Sequence, residues 1–172
     1  MSIAIHDDVV PALVRALTQL RQILQKGSAH AEAQGWDPAV LLNMRLAPDM
    51  LPLTRQVQIA TDIAKNAAAR LSGTEAPKFE DTETTFAELD ARTQRAIDFL
   101  GSVPAAAFEG AGDRGVVVPS RAYGELKFDG RGYLFGFVLP NVYFHITTAY
   151  ALLRHAGVPL GKADYIGPVG QG

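Results

Sequence analysis

The sequence predicts an all-α four-helix bundle that carries a small β-hairpin before its last helix, and three observations carry that prediction. Four stretches place apolar residues at steps of three and four, the spacing that puts one stripe of a helix against a core. Capping residues, glycines and prolines bound those stretches. Between the third and fourth, residues 105–130 change character: glycines crowd in and two short β-branched or alternating runs appear.

The first helix is marked by Val9, Leu13, Ala16, Leu17, Leu20 and Leu24, with Arg15, Gln19, Gln22 and Lys26 on the opposite, polar face. Asp7 or Asp8 is placed to cap it, Pro11 falls in its first turn, and Gly27-Ser28 is expected to end it. Residues 29–51 are irregular and punctuated by Gly35, Pro38 and Pro48, with Ala29–Gln34 able to add a short helical turn. A connection of this length is where function often sits.

The second helix runs from about Pro52 to Leu71 and stops at Ser72-Gly73. Its stripe is Leu53, Val57, Ala60, Ile63, Ala64, Ala67 and Leu71, and the alanines allow a neighbour to approach closely. The third follows the acidic stretch Glu80–Glu83. Thr85-Phe86-Ala87-Glu88 reads as a capping box, in which a hydroxyl and a carboxylate satisfy backbone donors at the helix start. Phe86, Leu89, Thr93, Ala96, Ile97 and Leu100 form its stripe, and Gly101 with Pro104 stops it.

The hairpin strands are Gly115–Val118 and Glu125–Phe128, with Pro119-Ser120-Arg121 suited to a turn. Asp129 then caps a fourth helix that reaches Ala156, with Gly157 as its C-cap and Pro159 beyond. Pro140, inside it, should kink it. The alternative is a strand over Tyr133–Leu139 and a helix starting at Pro140. The chain reads as one domain over 1–172, with a Gly/Pro-rich tail from 158 to 172 lying on the bundle.

Composition excludes several classes. There is no cysteine, hence no disulfide, thiolate nucleophile or cysteine-held metal. Sixteen Lys/Arg against eighteen Asp/Glu give a formal net charge of -2, with no basic block, so neither nucleic acid nor an anionic membrane is an expected partner. Met1–Asp8 has no basic region before an apolar run and does not read as a signal peptide. The most apolar stretch, Tyr133–Phe144, is short for a membrane span and contains Pro140 and Asn141. A cytoplasmic location is the expectation. No Gly-rich phosphate loop and no nucleophile elbow are present.

Sites in bundles form where polar side chains interrupt facing apolar stripes. On the fourth helix Leu134, Val138, Asn141, His145, Thr148, Ala149, Leu152 and Ala156 share a face, so Asn141 and His145 are inward i, i+4 neighbours. On the second, Gln56 falls among Leu53, Ala60, Ile63 and Ala67. Gln56, Asn141, His145 and Thr148 can therefore line one polar pocket. The plainer reading is a core histidine satisfied by amides, because zinc sites want three ligands of His, Asp, Glu or Cys type. His6 and His30 read as solvated, and His155 suits the C-terminal turn of its helix. Asp49, Arg55 and Asp62 read as surface charges. Tyr143, Phe144 and Tyr150 read as core or interface aromatics.

The stretch Leu139-Pro140-Asn141-Val142-Tyr143-Phe144-His145-Ile146-Thr147-Thr148-Ala149-Tyr150, followed by Leu152-Leu153-Arg154-His155-Ala156-Gly157-Val158, resembles the signature of a bacterial family of unknown function within the DinB/YfiT-like group of four-helix proteins. Leu46–Leu53 with Arg55-Gln56-Val57-Gln58, Val158–Lys162 and Asp164–Gly167 are similar to the same family. The resemblance implies a bundle whose better-understood relatives are metal-dependent enzymes, thiol transferases and a maleylpyruvate isomerase among them. Their divalent ion is held by one histidine from the second helix and a His-x-x-x-His pair from the fourth. Carried onto this chain, His145 takes the second position of that pair, Asn141 the first, and Gln56 the second-helix position. Two of three ligands are replaced, which implies a depleted metal site. The cavity can persist as a small-molecule pocket, and a homodimer is expected. The opposing hypothesis is a structural or interaction homodimer without catalytic activity, in which the same polar residues only fix helix register.

Overall fold

A computed structural model describes residues 5–120 and 124–169, the side chain of Asp8 excepted. Its frame is four long helices: α1 (Ile5–Gln34), α3 (Leu53–Ser72), α4 (Phe86–Ser102) and α6 (Leu139–His155). Short helices α2 (Pro38–Leu42), α5 (Gly130–Tyr133) and α7 (Lys162–Ile166) join or flank them. Helix α1 packs on α4 and α6, and α3 packs on the same two helices from the other side. The core lies along the axis, filled by Leu13, Leu17, Leu20, Leu24, Leu53, Val57, Leu71, Leu89, Leu100, Val142 and Leu152. Burying each such leucine contributes about 2 kcal/mol, so helices of middling intrinsic propensity hold together through tertiary packing.

Helices α3 and α4 follow the sequence expectation closely. Pro52 precedes the first residue of α3, and Gly73 ends it in the left-handed region, its N–H returning to the carbonyl of Ala69. Thr85 Oγ1 accepts from the Glu88 N–H at 3.2 Å while the Glu88 carboxylate accepts from the Thr85 N–H at 3.0 Å, the reciprocal pair that a capping box requires. The hairpin is also present. Strand β1 (Val116–Ser120) pairs antiparallel with β2 (Gly124–Phe128), Val116 opposite Phe128 and Ser120 opposite Gly124. Pro119 and Ser120 belong to the strand rather than to the turn expected there, and Arg121 falls outside the described residues.

Helix α1 departs from expectation at both ends. It does not stop at Gly27-Ser28 but continues to Gln34, absorbing Ala29–Gln34. A Cβ at Gly27 would sit 3.0 Å from a Leu153 methyl and 3.3 Å from the Phe86 ring. The glycine thus admits α6 and α4 rather than ending the helix, a packing role that outweighs its modest helix cost. Asp7 lies within the helix rather than at its cap, 2.8 Å from His6 Nδ1, and Pro11 is interior. The connection after α1 is structured by α2, which Asp37 caps by accepting from the Ala39 N–H at 2.9 Å.

The fourth long helix starts where Asp129 accepts from the Gly132 N–H at 2.6 Å, and no strand forms over Tyr133–Leu139. Instead of a plain proline kink, Leu134–Val138 is a π-helical turn, with the Leu139 N–H bonded back five residues to the Leu134 carbonyl. Pro140 supplies no N–H and its ring needs room against the preceding turn. The wider turn gives that room. After α6 the chain turns back through α7, which packs on α1. No described helix is long and apolar enough to cross a membrane.

Candidate functional site

The N-terminal end of α3 and the middle of α6 bring Gln56 and His145 together. Gln56 is buried, and its Nε2 donates to the Leu51 carbonyl at 2.9 Å. That bond leaves Oε1 facing His145, whose Nδ1 lies 2.7 Å away. An amide oxygen only accepts, so Nδ1 must carry the proton and donate. The backbone carbonyl at Leu51 therefore sets the amide, and the amide sets the imidazole tautomer. Nε2 is left with its lone pair, the arrangement by which a second partner orients an imidazole for ligation or proton transfer. Burial holds the His145 pKa below the usual histidine value, which keeps the ring neutral at pH 7. The Phe144 ring meets it edge-on at 5.2 Å between centroids.

Asn141 and Thr148 sit beside this pair on α6 with different partners. Asn141 Nδ2 donates to the Phe137 carbonyl at 2.7 Å, at the end of the π-helical turn. Thr148 Oγ1 donates to the Phe144 carbonyl at 2.8 Å. Both bonds are local, four residues back along the helix. Thr148 also lines a shallow hollow of about 350 Å³ with Leu46, Pro140, Tyr143, Phe144 and Thr147. Leu46, Tyr143 and Phe144 are exposed apolar side chains there.

The donor chemistry does not make up a metal set. Gln56 has Oε1 committed to His145 and Nε2 to backbone, and Asn141 gives its amide nitrogen to Phe137, so His145 Nε2 is the one strong donor of the trio. Among the described residues no group of three or more His, Asp or Glu side chains is placed to hold a metal ion.

A second polar cluster was not anticipated. Arg92 on α4 is fully buried, with Nε donating to Thr61 Oγ1 at 2.9 Å and Nη1 to the Glu80 carbonyl and Glu83 carboxylate, both at 3.0 Å. Nη2 lies 3.1 Å from Asp81 and 3.0 Å from Asp62 Oδ1, the latter off the hydrogen-bond direction. Asp62 and Arg55 are thus not isolated surface charges: Asp62 faces Arg92, and Arg55 pairs with Asp81. Burial pushes the Asp81 carboxyl up, but Arg55 and Arg92 together outweigh it and hold it below the usual carboxylate range. Phe79 lies under Arg95, Lys65 and Arg92, at 4.6, 4.7 and 5.2 Å from its ring centre. The sequence signal was the acidic run Glu80–Glu83 beside an aromatic, with an arginine next to Thr93 in the α4 stripe.

The remaining candidates have modest roles. His6 meets Phe108 edge-on, His30 meets Trp36 edge-on, and His155 is exposed in the last turn of α6. Asp49 is exposed, and Tyr150 packs against Tyr165.

A family model described as a domain of unknown function, DUF1993, matches residues 5–166. The chain is similar to a solved crystal structure of a DinB family member protein from Shewanella denitrificans. The two are 41% identical, the match covers 98% of this chain and 94% of that one, and the TM-score is 0.89. No curated protein matches. Helix order, hairpin and the match over nearly the whole described chain lead to one assignment: the protein belongs to the DUF1993 family of DinB-like helical proteins, a family of unknown function.

Proposed function

We propose that this protein binds a small molecule at His145 without a resident metal, and that His145 Nε2 is the atom that accepts the ligand's proton or hydrogen bond. The observation that carries the reading is the relay from the Leu51 carbonyl through Gln56 to His145 Nδ1, which leaves Nε2 unprotonated. A ring kept neutral by burial is a competent base near pH 7. Whether that base catalyses a proton transfer or only anchors a ligand is a question of substrate, and both use the same atom.

Two measurements test this. Elemental analysis of protein purified without chelator should find no stoichiometric metal, and nickel, zinc and manganese should bind weakly, with the binding lost in His145→Ala. Nitrogen NMR of the imidazole should show a protonated Nδ1 and a bare Nε2 in the wild type, and a mixture of tautomers in Gln56→Leu. Stoichiometric metal would replace this reading with a metalloenzyme. A bare Nδ1 would remove its basis.

A second reading has its own observation. Leu46, Tyr143 and Phe144 are exposed at 47, 40 and 55% around one shallow hollow, an apolar surface suited to a second copy of the chain. In that case Phe144→Glu should convert a dimer to a monomer in sedimentation equilibrium. A wild type that is already monomeric would dispose of the idea.

A further inference from the structure

We infer that the groove between α1, α6 and the C-terminal segment binds a small aromatic monocarboxylate, with its rings among the apolar walls and its carboxylate on Arg15 Nη1. The groove has a volume of about 400 Å³ and is walled by Ala12, Ala16, Tyr143, Ile146, Tyr165 and Ile166. Such a volume lies at the lower end of the range for small-molecule sites and suits a body of one or two rings. The two alanines leave the room, and the two tyrosine rings offer faces and edges to an aromatic guest.

Arg15 carries the only charge among the described lining residues. In the sequence it reads as a solvated residue on the polar face of α1, but the structure holds it in place. Its Nε and Nη2 donate to the Ile166 carbonyl at 3.1 and 2.9 Å, and Nη2 donates again to the Pro168 carbonyl at 2.6 Å. Nη1 has no partner among the described residues. Carbonyl oxygens fix the guanidinium without cancelling its charge. Arg21, Arg55 and Arg92 each meet a carboxylate, whereas no described carboxylate pairs with Arg15. A guanidinium already immobilised gives up little further side-chain entropy when an anion arrives, which is how preorganisation raises affinity.

The surroundings of Arg15 favour a singly charged anion. Nη1 offers its N–H donors from one nitrogen, enough to engage one carboxylate end-on. A phosphate dianion would bring a second charge against apolar walls with nothing to compensate it. The acid of α7 does not compete for the guanidinium: Asp164 pairs with Lys26 at 2.6 Å and accepts from the Gly161 N–H at 2.8 Å. Thr147 Oγ1 donates to the Tyr165 hydroxyl at 3.0 Å, so α6 and Arg15 together hold the covering segment and the wall exists before a ligand binds. Arg15 is exposed, so the carboxylate keeps part of its hydration, and the gain from the pair is moderate and sensitive to salt.

Naphthoate and naphthamide, which share a ring system and a planar head group and differ in charge, provide the test on the full chain. Amide chemical shifts of α1 and α7, which the hollow at Phe144 does not touch, should move saturably with naphthoate. Naphthoate should bind about fivefold more tightly than naphthamide at low ionic strength, the effect of one charge-assisted hydrogen bond at an exposed arginine. That advantage should shrink in about 1 M salt. In Arg15→Gln naphthoate should fall to the affinity of naphthamide, whose own binding stays as in the wild type. Should the variant release the covering segment, naphthamide binding falls too, and the wild-type ratio with its salt dependence decides. Equal binding of the two probes, saturable shifts only outside this groove, or tighter binding of naphthyl phosphate would overturn the inference. So would groove shifts that follow protein concentration without any probe, which would make the groove a contact between copies of the chain.

Discussion

The two polar clusters that interrupt the apolar surface of α3 are built to opposite specifications. Around Arg92 every guanidinium nitrogen is engaged, three acidic side chains converge on it, and the partners come from α3 and from the segment between α3 and α4. Around His145 the chain of bonds runs from a backbone carbonyl to an amide to one ring nitrogen and stops, leaving the other nitrogen without a protein partner among the described residues. The first cluster is closed and charged; the second is open and neutral. A network that engages every nitrogen of its guanidinium fixes how α3, α4 and their connection sit on one another, whereas a chain of bonds that stops at one ring nitrogen leaves the other without a protein partner. Charge on α3 therefore marks scaffold here, and the neutral histidine marks the candidate site.

Substituting Arg92 puts that contrast to its hardest test. Arg92→Leu would leave Asp62, Asp81 and Glu83 facing an apolar side chain, and removing one member of a buried ionic cluster typically costs about 3–5 kcal/mol. In a domain of this length the melting temperature should drop by about 10 °C. Thermal unfolding followed by circular dichroism measures it. A change of only a degree or two would mean that water already screens the cluster, and the distinction between closed and open sites would lose its structural half.

How much of this was readable beforehand differs between the two clusters for a physical reason. Helix periodicity located Gln56 and His145 on facing surfaces because both interrupt otherwise apolar stripes, and the capping box at Thr85 and the stop at Gly73 are local codes that short-range chemistry enforces. Arg92 carries no such code. A charged residue in a helix reads as solvated unless its long-range partners are known, and Glu80, Asp81 and Glu83 meet it only because the segment before α4 folds back. The same non-local logic hid Gln19, which becomes buried when a distant segment covers it. It also hid the continuation of α1 through Gly27, where the fit of Leu153 and Phe86 overrides a local stop signal. Periodicity placed Asn141 on the inward face, and in the structure it is half-buried and bonded to its own helix. Its bond to the Phe137 carbonyl depends on a π-helical turn that no periodicity announces.

The smaller effect is expected at His145, and its size depends on pH. His145→Leu removes one hydrogen bond and leaves Gln56 Oε1 unpaired, at about 1 kcal/mol near pH 7, well below the Arg92 loss. The native ring resists protonation because burial disfavours its charged form, whereas in the unfolded chain it takes up a proton near the ordinary value of about 6.5. The unfolded state therefore binds more protons below that value. Wild-type stability should fall as pH drops from about 6.5 towards the lowered native value, then level once the native ring is protonated. The leucine variant should lack this slope, so urea midpoints of the two proteins should converge between about pH 7 and about pH 5. The Arg92 cluster acts in a different window. Asp81 is held below its ordinary value, so its contribution is intact above about pH 4 and is lost only as pH falls through its lowered native value. Midpoints that stay parallel down to about pH 5 would mean that the native ring accepts its proton as readily as the unfolded one. His145 would then be too well solvated to serve as the neutral base that its tautomer prepares it to be.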